Sequence, residues 1–235
     1  MSYPINYPKP QGANVQIFSE GGTTSDWVKP QGASFVWFTL IGAGGAGANT
    51  GNTGGGSGAV TNFMCPAFLI PDMLSVVVGN GRPNNHGTIT EIRYTQKTGT
   101  GYQLLFANPG NCYDIATSAA GGAAMAANAF TAMGFFQSIA GQDGATNTTA
   151  STTTFLSGGA AGTNFPVSNY GYGGSVAVRG YSQFQPIIVG VGGGLNNAGT
   201  PAYSGGIGCG GGGATGIGAS NIGVGGNGMV VIITW

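Results

Sequence analysis

The sequence predicts an all-β fold: an antiparallel β-sandwich, jelly-roll-like, with long glycine-rich loops of polyproline-II character. Three observations carry that reading. Apolar residues gather in short runs of strand length, and Gly, Pro and Asn punctuate them at turn spacing. The chain also holds 49 glycines in 235 residues, about three times the roughly 7 % of ordinary proteins.

The strand candidates follow in order. Asn14 to Phe18 is short and alternating, whereas Phe35 to Ile41 is dense in aromatic and β-branched residues and stops at Gly42. Ala59 to Met64, Leu74 to Val78, Thr88 to Tyr94 and Tyr102 to Ala107 carry similar signals. Thr153 to Leu156, Ser175 to Val178 and Pro186 to Val191 carry weaker ones. Met229 to Trp235 is a last apolar run, expected to pair with Phe35 to Ile41 inside a sheet. Lys9-Pro10-Gln11-Gly12-Ala13 recurs as Lys29-Pro30-Gln31-Gly32-Ala33, each copy a Pro-x-Gly turn leading into a strand. Ser118 to Ala132, rich in Ala and Met, is the one stretch that reads as a helix. The organisation expected is an N-terminal arm over 1–24 with one short strand, then a single sandwich domain over 25–235.

Two glycine-dense stretches, Gly42 to Gly58 and Gly205 to Gly228, need a separate reason. Glycine loses more backbone freedom on ordering than any other residue. So much of it belongs where backbones approach closely, as extended three-residue-per-turn segments do when one face carries only hydrogen. These stretches are therefore expected to be ordered and layered over one end or one face of the sandwich.

Charge narrows the function. Lys9, Lys29, Arg82, Arg93, Lys97 and Arg179 are scattered singly and cancel against six acidic residues. Nucleic-acid binding rests on clustered Lys and Arg, so no nucleic-acid partner is expected. Apolar runs are too short for a membrane helix of about 20 residues, so no membrane insertion is expected either. The N-terminus has neither a basic nor an apolar signal region. Cys65, Cys112 and Cys209 are widely spaced, without a C-x-x-C pair, and read as small buried hydrophobes of a protein made in reducing cytosol.

The motifs that resemble chemistry are weak. Gly42 to Gly47 fits G-x-G-x-x-G after a strand, but residues 48–56 cannot start the helix a dinucleotide site needs, and no acidic residue follows at the required distance. The later glycine runs lack the Gly-Lys-Ser/Thr ending of a phosphate loop. His86 is the sole histidine and sits in a turn sequence, and no two carboxylates lie close enough in sequence to suggest an acid–base pair. No catalytic residue, cofactor or metal is expected. The one functional constellation is Tyr170, Tyr172, Arg179, Tyr181 and Tyr203 on a glycine scaffold, since Tyr and Arg combine contact area with a polar handle; the alternative is that these tyrosines plug the sandwich between glycine segments.

The order of features from Thr24 onward resembles the glycine-rich domain of phage tail fibres and other virion proteins. The resemblance rests on Ser25-Asp26-Trp27-Val28-Lys29-Pro30-Gln31-Gly32, the strand Phe35 to Ile41, and the burst Gly42-Ala43-Gly44-Gly45. Further matches are Gly54 to Val60, Leu74 to Gly81, and the late burst running into Gly228 to Ile233. It implies a non-enzymatic virion structural protein, made in the host cytoplasm, host-facing and homo-oligomeric, most often trimeric. Two departures, the short leading region and the Ala/Met-rich stretch Ser118 to Ile139, point to a spike, cap or capsid-surface subunit as readily as to a fibre. The contrasting expectation is a free glycan- or ice-binding module; Thr146 to Thr154 supplies threonine, yet without a regular Thr-x-Thr ladder.

Overall fold

The computed structural model describes residues 12–48, 53–83, 85–95, 101–112, 119–144, 202, 204–213 and 223–235. Nine strands run in the order β1 (Asn14–Phe18), β2 (Thr24–Val28), β3 (Phe35–Ile41), β4 (Val60–Pro66), β5 (Met73–Val77), β6 (Thr90–Thr95), β7 (Gly101–Ala107), β8 (Phe135–Ile139) and β9 (Met229–Thr234). They form a five-stranded sheet, β1-β9-β3-β4-β8, and a four-stranded sheet, β2-β5-β6-β7. Every pairing is antiparallel. The two sheets pack face to face as a β-sandwich.

Side-chain alternation explains the packing. Val36, Phe38 and Leu40 of β3 point inward and meet Cys65 and Phe63 of β4 and Val230 and Ile232 of β9. The other sheet contributes Trp27, Leu74, Val76, Ile92 and Leu105. Trp27 lies edge-on to Phe38 with ring centroids 5.9 Å apart, a contact that spans the two layers. Full burial of each large side chain contributes about 1.5–3 kcal/mol. Polar stitching adds to this, since the Thr61 hydroxyl donates to the Phe106 carbonyl of the opposite sheet at 2.8 Å.

As expected, the last strand lies beside the first strong one: β9 pairs with β3 from Val36↔Thr234 to Ile41↔Met229. On its other side β9 pairs with β1, an edge strand. The Pro30-Gln31-Gly32 turn is also present. Ala33 donates to the Pro30 carbonyl at 3.3 Å, and Gly32 holds φ +80°, the left-handed backbone of the third position of a type II turn.

Two strands escape the sequence reading. In β2 only Trp27 is buried, so the run shows little apolar signal. β8 sits at the end of the Ala/Met-rich stretch, just after the Ser118 to Ala132 segment where the helix was expected. That helix is absent: residues 119–130 run without helical structure, and only Thr131–Met133 forms a short 3-10 turn. The physical reason is tertiary. Gly121 and Gly122 are wedged among other backbones, while Met125 is buried in the core and its sulfur accepts the Phe106 N–H at 3.4 Å. Extended chain reaches from one end of the sandwich to the start of β8; a helix of the same residues, rising only 1.5 Å each, would not. The weaker candidates Thr153 to Leu156, Ser175 to Val178 and Pro186 to Val191 lie outside the described residues.

Candidate functional site: the tip of a glycine lattice

The glycine-dense segments do not wander over the sandwich. They leave the strand ends at one pole and pack there as a bundle of extended chains. Residues 42–48 continue β3, 53–59 lead into β4, 108–112 continue β7, 140–144 continue β8, and 223–228 lead into β9. Between the last two, residues 204–206 run toward the sandwich and 209–213 run back. They turn at Gly208, which carries φ +71° and lets Cys209 donate to Gly206 at 2.8 Å. Cys209 and Ile207 seat this hairpin on Ile41, Val60, Met229 and Val231 at the top of the five-stranded sheet.

Backbone hydrogen bonding in the bundle repeats every three residues. The amides of Gly42, Gly45 and Ala48 donate to Ala59, Gly56 and Thr53 of one neighbouring chain. Those of Gly44 and Gly47 donate to Gly226 and Gly223 of a second, and Ala46 donates to Asn85 of a third. The next chain follows the same rule. Gly55 and Gly58 donate to Gly211 and Gly208, Gly56 and Ala59 donate to Asn111 and Asn108, and Ser57 donates to Gln142. A period of three is that of a polyproline-II helix, which points successive peptide groups about 120° apart. Each chain thereby bonds several neighbours at once, and the expected layered arrangement is present.

Such packing requires glycine. A Cβ placed on Gly44 would lie 1.9 Å from the Cys209 carbonyl oxygen, one on Gly45 2.1 Å from that of Asn111, and one on Gly47 2.0 Å from that of Gly212. The obstacle is backbone in every case, so no side chain can swing aside. Residues with a Cβ occupy positions where no backbone approaches so closely, and Ala43, Ala46 and Ala59 are fully buried.

The same geometry rules on the Gly42 to Gly47 motif. Gly42, Gly44, Gly45, Ala46 and Gly47 already spend their amides inside the lattice, so this segment offers no array of free N–H groups to a phosphate. Among the described residues no helix follows it. His86 lies on the flank, where its Nδ1 accepts the Cys112 amide at 2.9 Å, a structural use of the ring. Cys65 and Cys209 are buried and Cys112 is half-buried.

At the far end of the lattice the segment ends converge. Ala48 donates to Thr53 at 2.8 Å, Gly144 to Ala119 at 2.8 Å, Asn111 to Ala120 at 2.9 Å and Gly223 to Gly212 at 3.0 Å. A Cβ on Gly213 would come within 2.6 Å of Thr53, and one on Gly144 would collide with Gly54. Four connections, 49–52, 113–118, 145–201 and 214–222, thus begin and end at this tip. Tyr170, Tyr172, Arg179, Tyr181 and Tyr203 lie outside the described residues, and in sequence they fall between Gly144 and Ser204. What the sequence reading missed is the opposite pole. There the strand hairpins turn and large apolar side chains are exposed; the signal available was the outward half of each strand's alternation.

The chain matches the glycine-rich domain family over residues 19–235 and belongs to it. No curated protein matches it in sequence.

Proposed function

We propose that this protein is a non-enzymatic structural protein of a virus particle, a tail-fibre, spike or capsid-surface subunit that presents its lattice tip to the host. The observation that carries the reading is the polarity of the fold. Four connections spring from the end of the backbone lattice, and one of them, 145–201, holds Tyr170, Tyr172, Arg179 and Tyr181, with Tyr203 two residues beyond it in sequence. Loops set on a rigid scaffold are where recognition residues concentrate. In this reading Tyr170, Tyr172, Arg179, Tyr181 and Tyr203 contact a receptor, a host-surface glycan or protein, and the chain works as a homo-oligomer, a trimer, beside other virion proteins.

Composition supports the same conclusion. A chain with 5 % charged residues and no net charge has little electrostatic repulsion to keep free molecules apart, which suits permanent assembly. The test is location. Mass spectrometry of purified particles, with antibody labelling in the electron microscope, should find the chain at fibre tips, spikes or the shell surface. Its absence from particles would overturn the virion reading.

A further inference from the structure

The outer face of the five-stranded sheet is covered over one half only. Near the lattice, the 204–213 hairpin lies on Ile41, Val60, Met229 and Val231. Toward the strand turns that cover stops, and one register row crosses all five strands with apolar side chains alone. Val15 of β1 stands opposite Ile233 of β9, Ile233 opposite Trp37 of β3, Trp37 opposite Met64 of β4, and Met64 opposite Phe135 of β8. Partners in an antiparallel pair share a face, and the flanking Val36, Phe38 and Cys65 point into the core, so all five side chains point outward. Val15 is 48 % exposed and Phe135 55 %, while Trp37, Met64 and Ile233 between them are half-buried. Beside the row, Phe35 and Trp235 stack with ring centroids 6.1 Å apart. Among the described residues, none of the side chains that these five strands turn outward is charged.

The chain itself brings a matching segment to this row. Residues 1–11 lead to Asn14, the residue before Val15 at the edge of the sheet. They read Met-Ser-Tyr-Pro-Ile-Asn-Tyr-Pro-Lys-Pro-Gln, with three prolines, two tyrosines, an isoleucine and one charged side chain, Lys9. Proline-rich segments dock on surfaces lined by aromatic rings, because their extended shape is set beforehand and little entropy is lost. The length fits as well. Residues 1–8, at about 3.1 Å each, span roughly 25 Å. The row crosses four strand spacings, roughly 19 Å. Tethered beside Val15, the segment meets the row at an effective concentration on the order of mM, so modest contacts hold it there.

We infer that residues 1–8 lie across this row as a strap from β1 toward β8, with the two tyrosines and the isoleucine against Trp37, Met64 and Phe135. The strap completes the cover that the 204–213 hairpin begins, and an apolar face is closed by the molecule's own chain. This goes beyond the virion reading and stands or falls without it, since it is decided on the purified chain in solution.

Photocrosslinking tests it. With Tyr3→p-benzoylphenylalanine or Tyr7→p-benzoylphenylalanine, both outside the nine strands, irradiation of a dilute solution is expected to join residues 1–8 to β3, β4 or β8. The product should run at monomer mass, with the site read by peptide mass spectrometry. Crosslinks on the four-stranded sheet, crosslinks only between copies, or none at all overturn the inference. Fluorescence gives a second readout, because Trp37 and Trp235 stand at this face and the third tryptophan, Trp27, is in the core. Removing residues 1–8 is expected to shift emission to longer wavelength and to increase quenching by acrylamide, with an unchanged circular-dichroism spectrum. Unchanged emission and quenching in the folded, shortened chain also overturn the strap, and crosslinking decides alone where the shortened chain fails to fold.

Discussion

The amide of Gly45 donates to the carbonyl of Gly56 at 2.9 Å, joining the chain that leaves β3 to the one that enters β4. Around that bond there is no space for a methyl group: a Cβ on Gly45 would stand 2.1 Å from the carbonyl oxygen and 2.3 Å from the carbonyl carbon of Asn111. Gly45→Ala therefore has to push two backbone chains apart and break the bonds on either side of them. The expected cost is about 3 kcal/mol or more, at the severe end for single substitutions. Gly12→Ala is the matched comparison, because a Cβ there meets nothing within 4 Å. It is expected to be neutral or to stabilise by up to about 1 kcal/mol through the unfolded chain. Urea unfolding of the two variants checks both; equal midpoints would remove the steric account of the glycines.

How much of this was legible in the sequence depends on whether the signal was local. Phe35 to Ile41 and Met229 to Thr234 announce themselves because both faces are covered over the half of each strand nearest the lattice. One face meets the sandwich core and the other, at Ile41, Met229 and Val231, meets the 204–213 hairpin, so nearly every position is apolar. β2 hides because a strand with one buried residue looks like loop. The glycine stretches were legible as close-packed backbone, since no other economy explains them. Which chain bonds which was not legible, because partners such as Gly44 and Gly226 lie far apart in sequence and every glycine looks alike. Ser118 to Ala132 misled for the opposite reason: Ala and Met favour helix locally, and the neighbours of Gly121 and Gly122 decide otherwise.

Lys29 separates two kinds of contribution. Its ammonium donates to the carbonyls of Ala67 at 3.0 Å and Ile70 at 2.9 Å, and pairs with Asp72 at 2.8 Å. The Lys29 side chain is only 16 % exposed while that of Asp72 is 90 % exposed. Removing the lysine strips two carbonyls of a donor, whereas removing the carboxylate breaks one solvated ion pair. Lys29→Met is expected to cost about 1–3 kcal/mol and Asp72→Asn less than about 1 kcal/mol. Denaturant titrations of the two single variants decide it, and the order of the two losses is the result that matters.

The receptor reading makes its own demand on Tyr172, Arg179 and Tyr181. If these side chains anchor a host molecule, truncating each to alanine should weaken attachment of particles, or of purified protein, to host cells by 10-fold or more, the range of an interface hot spot. Cell-binding titrations of Tyr172→Ala, Arg179→Ala and Tyr181→Ala measure this, with particle assembly as the control. Full attachment by all three variants would move the contact away from these side chains.

Cys65 ties stability to alkaline pH. Its thiol faces the core from β4 and is 1 % exposed. Burial raises its pKa from 9.0 to about 11, against a smaller opposing pull from the Lys29 charge. Between those values the unfolded chain has released a proton that the folded chain still holds, so rising pH favours unfolding. The stabilisation is complete below pH 9 and is lost as the pH climbs to about 11; two pKa units bound the loss at about 3 kcal/mol. Other groups titrate in the same window, so the measurable quantity is a difference: the fall in unfolding free energy from pH 8.5 to 11 should be smaller for Cys65→Ala than for the wild type. The same burial predicts that Cys65 resists alkylation by iodoacetamide at pH 8 until denaturant is added, which peptide mapping reads directly. Rapid labelling of Cys65 in the native protein, or parallel pH profiles for the two proteins, would show that the thiol meets solvent and that the core beneath Phe63 is open.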